Sequence, residues 1–256
     1  MAVVIAPELV DPFRQAPRRA ALITDFDGTL APIVDDPKNS RALDGAAALL
    51  ERLAGSYGRV AVVSGRPVAF LSEQLRCGPA IELRGLYGLE SSRPGAVDDR
   101  VEAWRDAVNA VAARADAEAP TGVTVERKGL SVTLHYRTAP DAGPWVESWT
   151  AAQADITGLH RHGARMSWEL VPPVPVDKGT TVLELAEGFD AVCFIGDDRG
   201  DLPAFAALDL LAVGGAYALK VVVESDEVPP ELLRQADLVV VGPAGVMGFL
   251  ELLAGI

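Results

Sequence analysis

The chain has 256 residues, 49% of them hydrophobic, and its 36 acidic against 23 basic residues give a formal net charge of -13. That is enough chain and enough apolar surface for one large domain, or a domain carrying an insertion, and it excludes a disordered protein. The acidity excludes nucleic acid and anionic membrane as partners, so an anionic substrate must be met by a few local cations or a metal ion.

The N-terminal patch AVVIA, with Glu8 close behind, is too short and wrongly flanked for a signal peptide. No apolar run reaches the ~20 residues of a membrane span. Two cysteines, Cys77 and Cys193, make no disulfide framework, and a reducing cytoplasm is the expected setting. From Ala20 onward, short apolar runs alternate with amphipathic stretches. AALITDF reads as a strand, and LDGAAALLERLAGSYG as a helix with Asp44 as an early cap. RVAVVSG is a second strand, PVAFLSEQLRCG a helix with Pro67 at its first position, and AIELRGLYG a third strand.

The middle of the chain changes character. A long helical stretch, DRVEAWRDAVNAVAARADAEA, presents an alanine-rich solvated face, and strands VTVERKG and LSVTLHYR follow. A second helix around PWVESWTAAQADI precedes the strand ARMSWELV. HRH at 160–162 reads as a solvated loop rather than a metal-ligand pair, and Trp104, Trp145, Trp149 and Trp168 as core. After VPPVPVDKG the first pattern resumes: KGTTVLELAEGF a helix, DAVCFIGDD a strand with Cys193 as a small core residue, and DLPAFAALD a helix. LLAVGG and ADLVVVG read as strands and GVMGFLELLAGI as the last helix. The expected fold is α/β, a doubly wound parallel sheet core over residues 1–86 and 173–256, with an inserted α+β domain over 87–172.

Ligands of parallel α/β sheets sit beyond the carboxyl ends of the strands. Four loops carry polar groups there: Asp25 and Asp27 after the first strand, Ser64, Gly65 and Arg66 after the second, GDDRGD at 196–201, and Lys178 at a helix start. A carboxylate can attack phosphorus and form an aspartyl phosphate. Nucleophile and phosphate repel each other, so a hard, oxygen-seeking cation such as Mg²⁺ is needed between them. Asp25 with Asp197, Asp198 and Asp201 would hold it, Ser64 and backbone N–H groups would bind phosphate, and Lys178 would offset transition-state charge. Asp27 would protonate the leaving alcohol and then activate water. Arg66 is open to two readings, a substrate contact or a surface residue following the loop.

DFDGTLAPI, VVSGR, VDKGTTV and IGDDRGD match in order and spacing the four motifs of the haloacid dehalogenase-like (HAD) phosphohydrolases, so the chain resembles that superfamily from about Leu22 onward. The insert's place resembles a C2-type cap, a mobile lid that closes over substrate. Within the superfamily, VERKGLSVTLHYR and WELVPPVPVDKG are similar to cap motifs of the trehalose-6-phosphate phosphatase family. That resemblance implies Mg²⁺-dependent hydrolysis of trehalose 6-phosphate in trehalose biosynthesis, with Asp27 grouped beside the metal-binding carboxylates and Gly65 with the phosphate loop. It also implies that Glu126, Lys128 and Glu169 contact the disaccharide, with Ser131, His135 and Arg137 as further candidates. Three departures stand out: Tyr87 in GLYGLE where the family has histidine, Val171 where it has a basic residue, and Gly200 and Leu202 where it has threonine and glutamate. Another sugar phosphate, sucrose or glycosyl-glycerate phosphate, and phosphotransfer to a second alcohol remain as alternatives. The expected partner is a small sugar phosphate, with no nucleic acid or membrane; the sequence does not give the oligomeric state, and a monomer is plausible.

Overall fold

In a computed structural model that describes residues 5–34, 36–94, 99–164, 166–226 and 228–255, the short apolar runs become strands. Part of three predicted segments (residues 2–4 of AVVIA, Arg165 of ARMSWELV and Ile256 of GVMGFLELLAGI) lies outside the described residues. In chain order the strands are β1 Ala20–Thr24, β2 Arg59–Val63, β3 Ile81–Gly85, β4 Glu90–Ser91, β5 Thr124–Arg127, β6 Val132–His135, β7 His160–Ala164, β8 Ser167–Val171, β9 Ala191–Gly196, β10 Tyr217–Glu224 and β11 Leu238–Val241. The chain divides into two units, 1–94 with 176–256, and 95–175.

In the first unit the sheet order is β11-β10-β9-β1-β2-β3-β4, parallel except for β4, which runs antiparallel to β3. Successive side chains of a strand point to opposite faces, and here both faces are apolar because both are covered. Leu22 of β1 packs with Leu49, Leu53, Leu71 and Phe249 from the helices Ala46–Ser56, Val68–Leu75 and Gly242–Ala254. Its neighbour Ile23 packs on the other face with Val182, Leu185 and Phe205, from the helices Lys178–Leu185 and Leu202–Val213. Cys193 is buried, a core residue as its apolar surroundings predict. The doubly wound parallel core expected from the alternation is therefore present.

Several local expectations are corrected. LLAV is no strand: it continues the helix Leu202–Val213, leaving Val213 89% exposed, and the strand is β10. An apolar run of four gives periodicity too little length to separate strand from helix. Asp44 does not cap its helix; Gly45 holds the cap position at φ 86, a left-handed turn that glycine adopts without strain. Pro67 sits one residue earlier than predicted, as the cap of Val68–Leu75. HRH is not a loop but the start of β7, whose Arg161 guanidinium lies 3.9 Å over the Trp168 ring.

The second unit has an antiparallel sheet, β5-β6-β8-β7, with the helices Arg105–Glu118 and Gly143–Thr157. Val108, Val111, Ala112 and Ala115, on the helix predicted to be solvated, are buried against Val132, Leu134 and Leu170 of the sheet. Trp149 joins this core, and Trp104, Trp145 and Trp168 pack at its edge. Alternation then turns the other residues of the same strands to the opposite face, which carries Glu126, Thr133, His135 and Glu169: Thr133 is paired in register with both Glu126 and Glu169.

Candidate active site

From β1 the chain adds strands first on one side, β2 and β3, and later on the other, β9 to β11. The reversal leaves a crevice between the carboxyl ends of β1 and β9, the switch point where open α/β sheets take ligands. Asp25 follows β1 there, its N–H bonded to Ile195 O of β9 at 2.8 Å, and Asp197 follows β9. Gly28, at φ 73, lets the turn close on Asp197: a Cβ at this position would fall 2.0 Å from Asp197 Oδ2. Thr29 Oγ1 donates to Asp197 Oδ1 at 3.3 Å.

Lys178 opens the helix Lys178–Leu185, whose start is fixed by a reciprocal cap between Asp177 and Thr180. Its Nζ lies 2.9 Å from Asp25 Oδ2 and 2.6 Å from Asp201 Oδ1, with all three side chains buried. Asp201 Oδ2 in turn accepts the Asp197 and Asp198 N–H groups at 2.8 and 3.0 Å, which ties the acidic loop into one piece.

Asp25, Asp197 and Asp201 each offer a carboxylate oxygen within 4.8 Å of the others, and all are buried. Burial disfavours the charged forms. It drives Asp197 from the ordinary 3.8 up to about 9, with repulsion from Asp25, Asp201 and Asp198 added. Asp201 rises to about 6 for the same reason, with Lys178 pulling against it. Asp25 is also raised well above its ordinary value by burial, again opposed by Lys178. Burial works against the Lys178 ammonium too, but Asp201, Asp25 and Asp198 more than offset it and hold its pKa well above the usual range. Three buried carboxylates thus face one ammonium. An all-oxygen donor set with surplus negative charge suits a small hard dication.

Asp27 and Asp198 stand outside this trio. Asp198 is exposed and caps the turn Arg199–Asp201, accepting from Gly200 N–H at 2.8 Å. Asp27 is held by Arg66, Nε to Oδ2 at 2.6 Å and Nη2 to Oδ1 at 2.9 Å, and Oδ1 also accepts from Ser40 Oγ at 2.7 Å. Arg66 is mostly buried and is no bystander on the surface. Ser40 is fully buried; in the sequence it is one polar residue of a loop, and no local signal marks it. Ser64 is buried, its N–H bonded to Arg84 O at 3.0 Å and its Oγ accepting from Arg66 N–H at 3.2 Å. Gly65 lies under the Tyr87 ring, where a Cβ would come 2.9 Å from Tyr87 Oη. Tyr87 and its neighbour Leu86 both have positive φ, 63 and 50.

The second unit gathers most of its predicted residues. Lys128 Nζ lies 3.2 Å from Glu169 Oε1 and 3.8 Å from Glu126 Oε2. Ser131 Oγ donates to Glu169 Oε1 at 2.6 Å, and His135 Nε2 is 2.9 Å from Glu126 Oε2. Arg137 is in the exposed turn after β6 and is not brought to this group. Val171 is buried at the end of β8, in register with His160.

A buried carboxylate just after the central strand, a lysine from the helix before β9 and an acidic loop after it mark a HAD-like α/β protein. The fold agrees: the described structure superposes on a solved trehalose-6-phosphate phosphatase related protein with a TM-score of 0.78 at 24% identity, covering 92% of this chain and 97% of that one. It superposes on the C-terminal domain of C. albicans trehalose-6-phosphate phosphatase with a TM-score of 0.76 at 24% identity, covering 100% and 98%. The chain belongs to the trehalose-phosphatase family, whose pattern it matches over residues 23–231. It is 35% identical over 206 residues to the trehalose-phosphate phosphatase of Mycobacterium avium, a match covering 75% of this chain and 52% of that protein. It is 32% identical over 214 residues to an uncharacterized glycosyl hydrolase of Mycobacterium tuberculosis, of which it spans 16%. The chain thus spans about half or less of these relatives' lengths. Among the described residues no helix is long and apolar enough to cross a membrane.

Proposed function

We propose that this protein is a cytoplasmic phosphomonoesterase that hydrolyses trehalose 6-phosphate to trehalose and phosphate. One observation carries the reading. In a chain of the trehalose-phosphatase family, Asp25 lies at the switch point of the sheet, 2.9 Å from Lys178 and beside two further buried carboxylates.

Asp25 attacks phosphorus, the bond from phosphorus to the sugar oxygen breaks, and Asp27 gives that oxygen a proton. Water, losing its proton to Asp27, then attacks the aspartyl phosphate and returns Asp25 as a carboxylate. Lys178 offsets charge on the phosphoryl oxygens, and Ser64 with the Gly65 N–H receives the others. Asp25, Asp197 and Asp201 would hold Mg²⁺, with Asp27 and Asp198 assisting from the neighbouring turns; when bound, the ion supplies the positive charge that lets a carboxylate approach a phosphate. Disaccharide recognition is assigned to the inserted domain, by Glu126, Lys128, His135 and Glu169 on its polar sheet face, with Arg137 in the exposed turn after β6 as a further contact. A site built to hydrogen-bond hydroxyls rejects analogues that lack them.

One observation favours a second reading, a phosphatase for another sugar phosphate. The position where the family carries a cation is here the buried, apolar Val171. Phosphate release with Mg²⁺ from trehalose 6-phosphate, sucrose 6-phosphate, glucose 6-phosphate and glycosyl-glycerate phosphates decides between them, with Asp25→Asn as the blank. A preference of about a hundredfold in kcat/KM for trehalose 6-phosphate, roughly 2.7 kcal/mol of transition-state discrimination, is expected. A flat profile lost in Asp25→Asn would retain the phosphatase and reject the sugar.

A further inference from the structure

We propose that Arg66 and Ser40 are positioning residues that orient Asp27 as the acid–base carboxylate and confine proton transfer to its Oδ2 oxygen. The inference deepens the phosphatase reading and rests on it.

The argument is a count of lone pairs. A carboxylate offers about four acceptor sites, two on each oxygen. Oδ1 of Asp27 accepts from Arg66 Nη2 at 2.9 Å and Ser40 Oγ at 2.7 Å, which fills it. Oδ2 accepts from Arg66 Nε at 2.6 Å alone, so among the described residues one site is left, and it is on Oδ2. The Asp27 side chain is 35% exposed, so that site has access to a ligand or to water, whereas the two groups that orient it are buried. A carboxylate gripped at both oxygens by a planar guanidinium cannot spin about its Cβ–Cγ bond without breaking two charge-assisted bonds.

Arg66 is itself fixed. Its guanidinium carbon lies 4.6 Å from the centroid of the Phe70 ring, and Phe70 meets Phe26 edge-on at 5.8 Å. Phe26 is the residue between Asp25 and Asp27, so the aromatic pair links the two aspartates' turn to the helix that follows the arginine. The Arg66 main chain is held as well, its N–H to Ser64 Oγ and its C=O accepting from Leu86 N–H at 3.0 Å. Lysine would restore a charge but only a single point of contact, so it cannot replace the fork.

The test compares two leaving groups. A sugar alkoxide needs a proton as it departs, while 4-nitrophenolate leaves without one. Arg66→Gln, Arg66→Lys, Ser40→Ala and Asp27→Asn are each assayed on trehalose 6-phosphate and 4-nitrophenyl phosphate, with thermal melts to check folding. General acid catalysis contributes ~10²–10⁴ in rate, so Arg66→Gln is expected to lower kcat on the sugar phosphate about 30-fold or more. The ratio of sugar to aryl turnover should fall at least about tenfold, with KM nearly steady. Ser40→Ala should shift the ratio the same way by less, and Arg66→Lys should fall between wild type and Arg66→Gln. In an Asp27→Asn background, Arg66→Gln should add almost nothing, because both act through one carboxylate.

A parallel loss on both substrates with the ratio unchanged would mean a merely structural role and would overturn the inference. So would a raised KM at constant kcat, which would make Arg66 a substrate contact. Wild-type enzyme that releases no Asp25-dependent phosphate from either substrate would sink the phosphatase reading and this inference with it.

Discussion

The buried carboxylates make the metal-free protein sensitive to pH in an unusual direction. Asp197 is pushed up to about 9 in the folded chain, against about 4 when unfolded. Between those values the folded state keeps a proton that the unfolded chain has released. Stability from this group is therefore fully present below about pH 4 and is lost as pH rises toward 9. One proton retained from pH 6 to pH 8 corresponds to a fall of about 3 kcal/mol in unfolding free energy. For a chain of this size that is roughly 6–12 °C in Tm. Asp201, raised only to about 6, has lost most of its contribution by pH 6 and adds little above it. Melting the protein in EDTA at pH 6, 7 and 8, beside Asp197→Asn, isolates the effect. The wild type should lose Tm stepwise and the variant should fall less steeply, because the buried Asp25, also raised well above its ordinary value, remains. Excess Mg²⁺ at pH 8 should restore the wild type and do much less for the variant, since an ion that binds only the folded state stabilises it. A wild-type Tm independent of pH without metal, or a variant falling in parallel with it, would refute the reasoning.

Three other outcomes are expected. Gly28→Ala places a Cβ against Asp197 at a left-handed backbone position and should cost at least about 1–3 kcal/mol in urea unfolding, together with most of the Asp25-dependent activity. Arg84→Met removes the partner 2.8 Å from the buried Glu82 and should cost about 3 kcal/mol, the low end for a broken buried pair, because Arg93 Nε remains 2.9 Å away; an unchanged urea midpoint would reject the pair's role. Lys128→Ala should raise KM for the disaccharide phosphate about tenfold or more through loss of a charged contact, while turnover of 4-nitrophenyl phosphate holds.

The loops that meet at the candidate site were legible because their residue types are costly anywhere else. Asp25, Lys178 and Asp201 are charges at the ends of apolar strands and helices, and such charges call for partners that only each other or a ligand can supply. The parallel core was legible for a related reason: β1, β2 and β9 are apolar at every position or nearly so, as strands covered on both faces must be. What was hidden depends on pairings far apart in the chain. Ser40 meets Asp27 across 13 residues of irregular loop, Glu184 meets Arg84 across 100, and no local pattern encodes either. LLAV failed for the opposite reason, since apolar residues exposed at a helix end imitate a strand in composition. Arg66 had the right neighbours in sequence, but its role as Asp27's partner follows from geometry alone.

The close fit of Tyr87 over Gly65 reaches beyond this one molecule. A side chain at 65 would strike the Tyr87 ring, which stands on two consecutive non-glycine residues in left-handed backbone. The two positions, 22 residues apart on separate loops, are thus coupled by packing. A side chain at 65 requires the hydroxyl end of the Tyr87 ring to swing aside or to be removed. A larger residue at 65 should therefore appear only with a smaller or displaced side chain at 87, whereas residue 87 can vary beside a glycine.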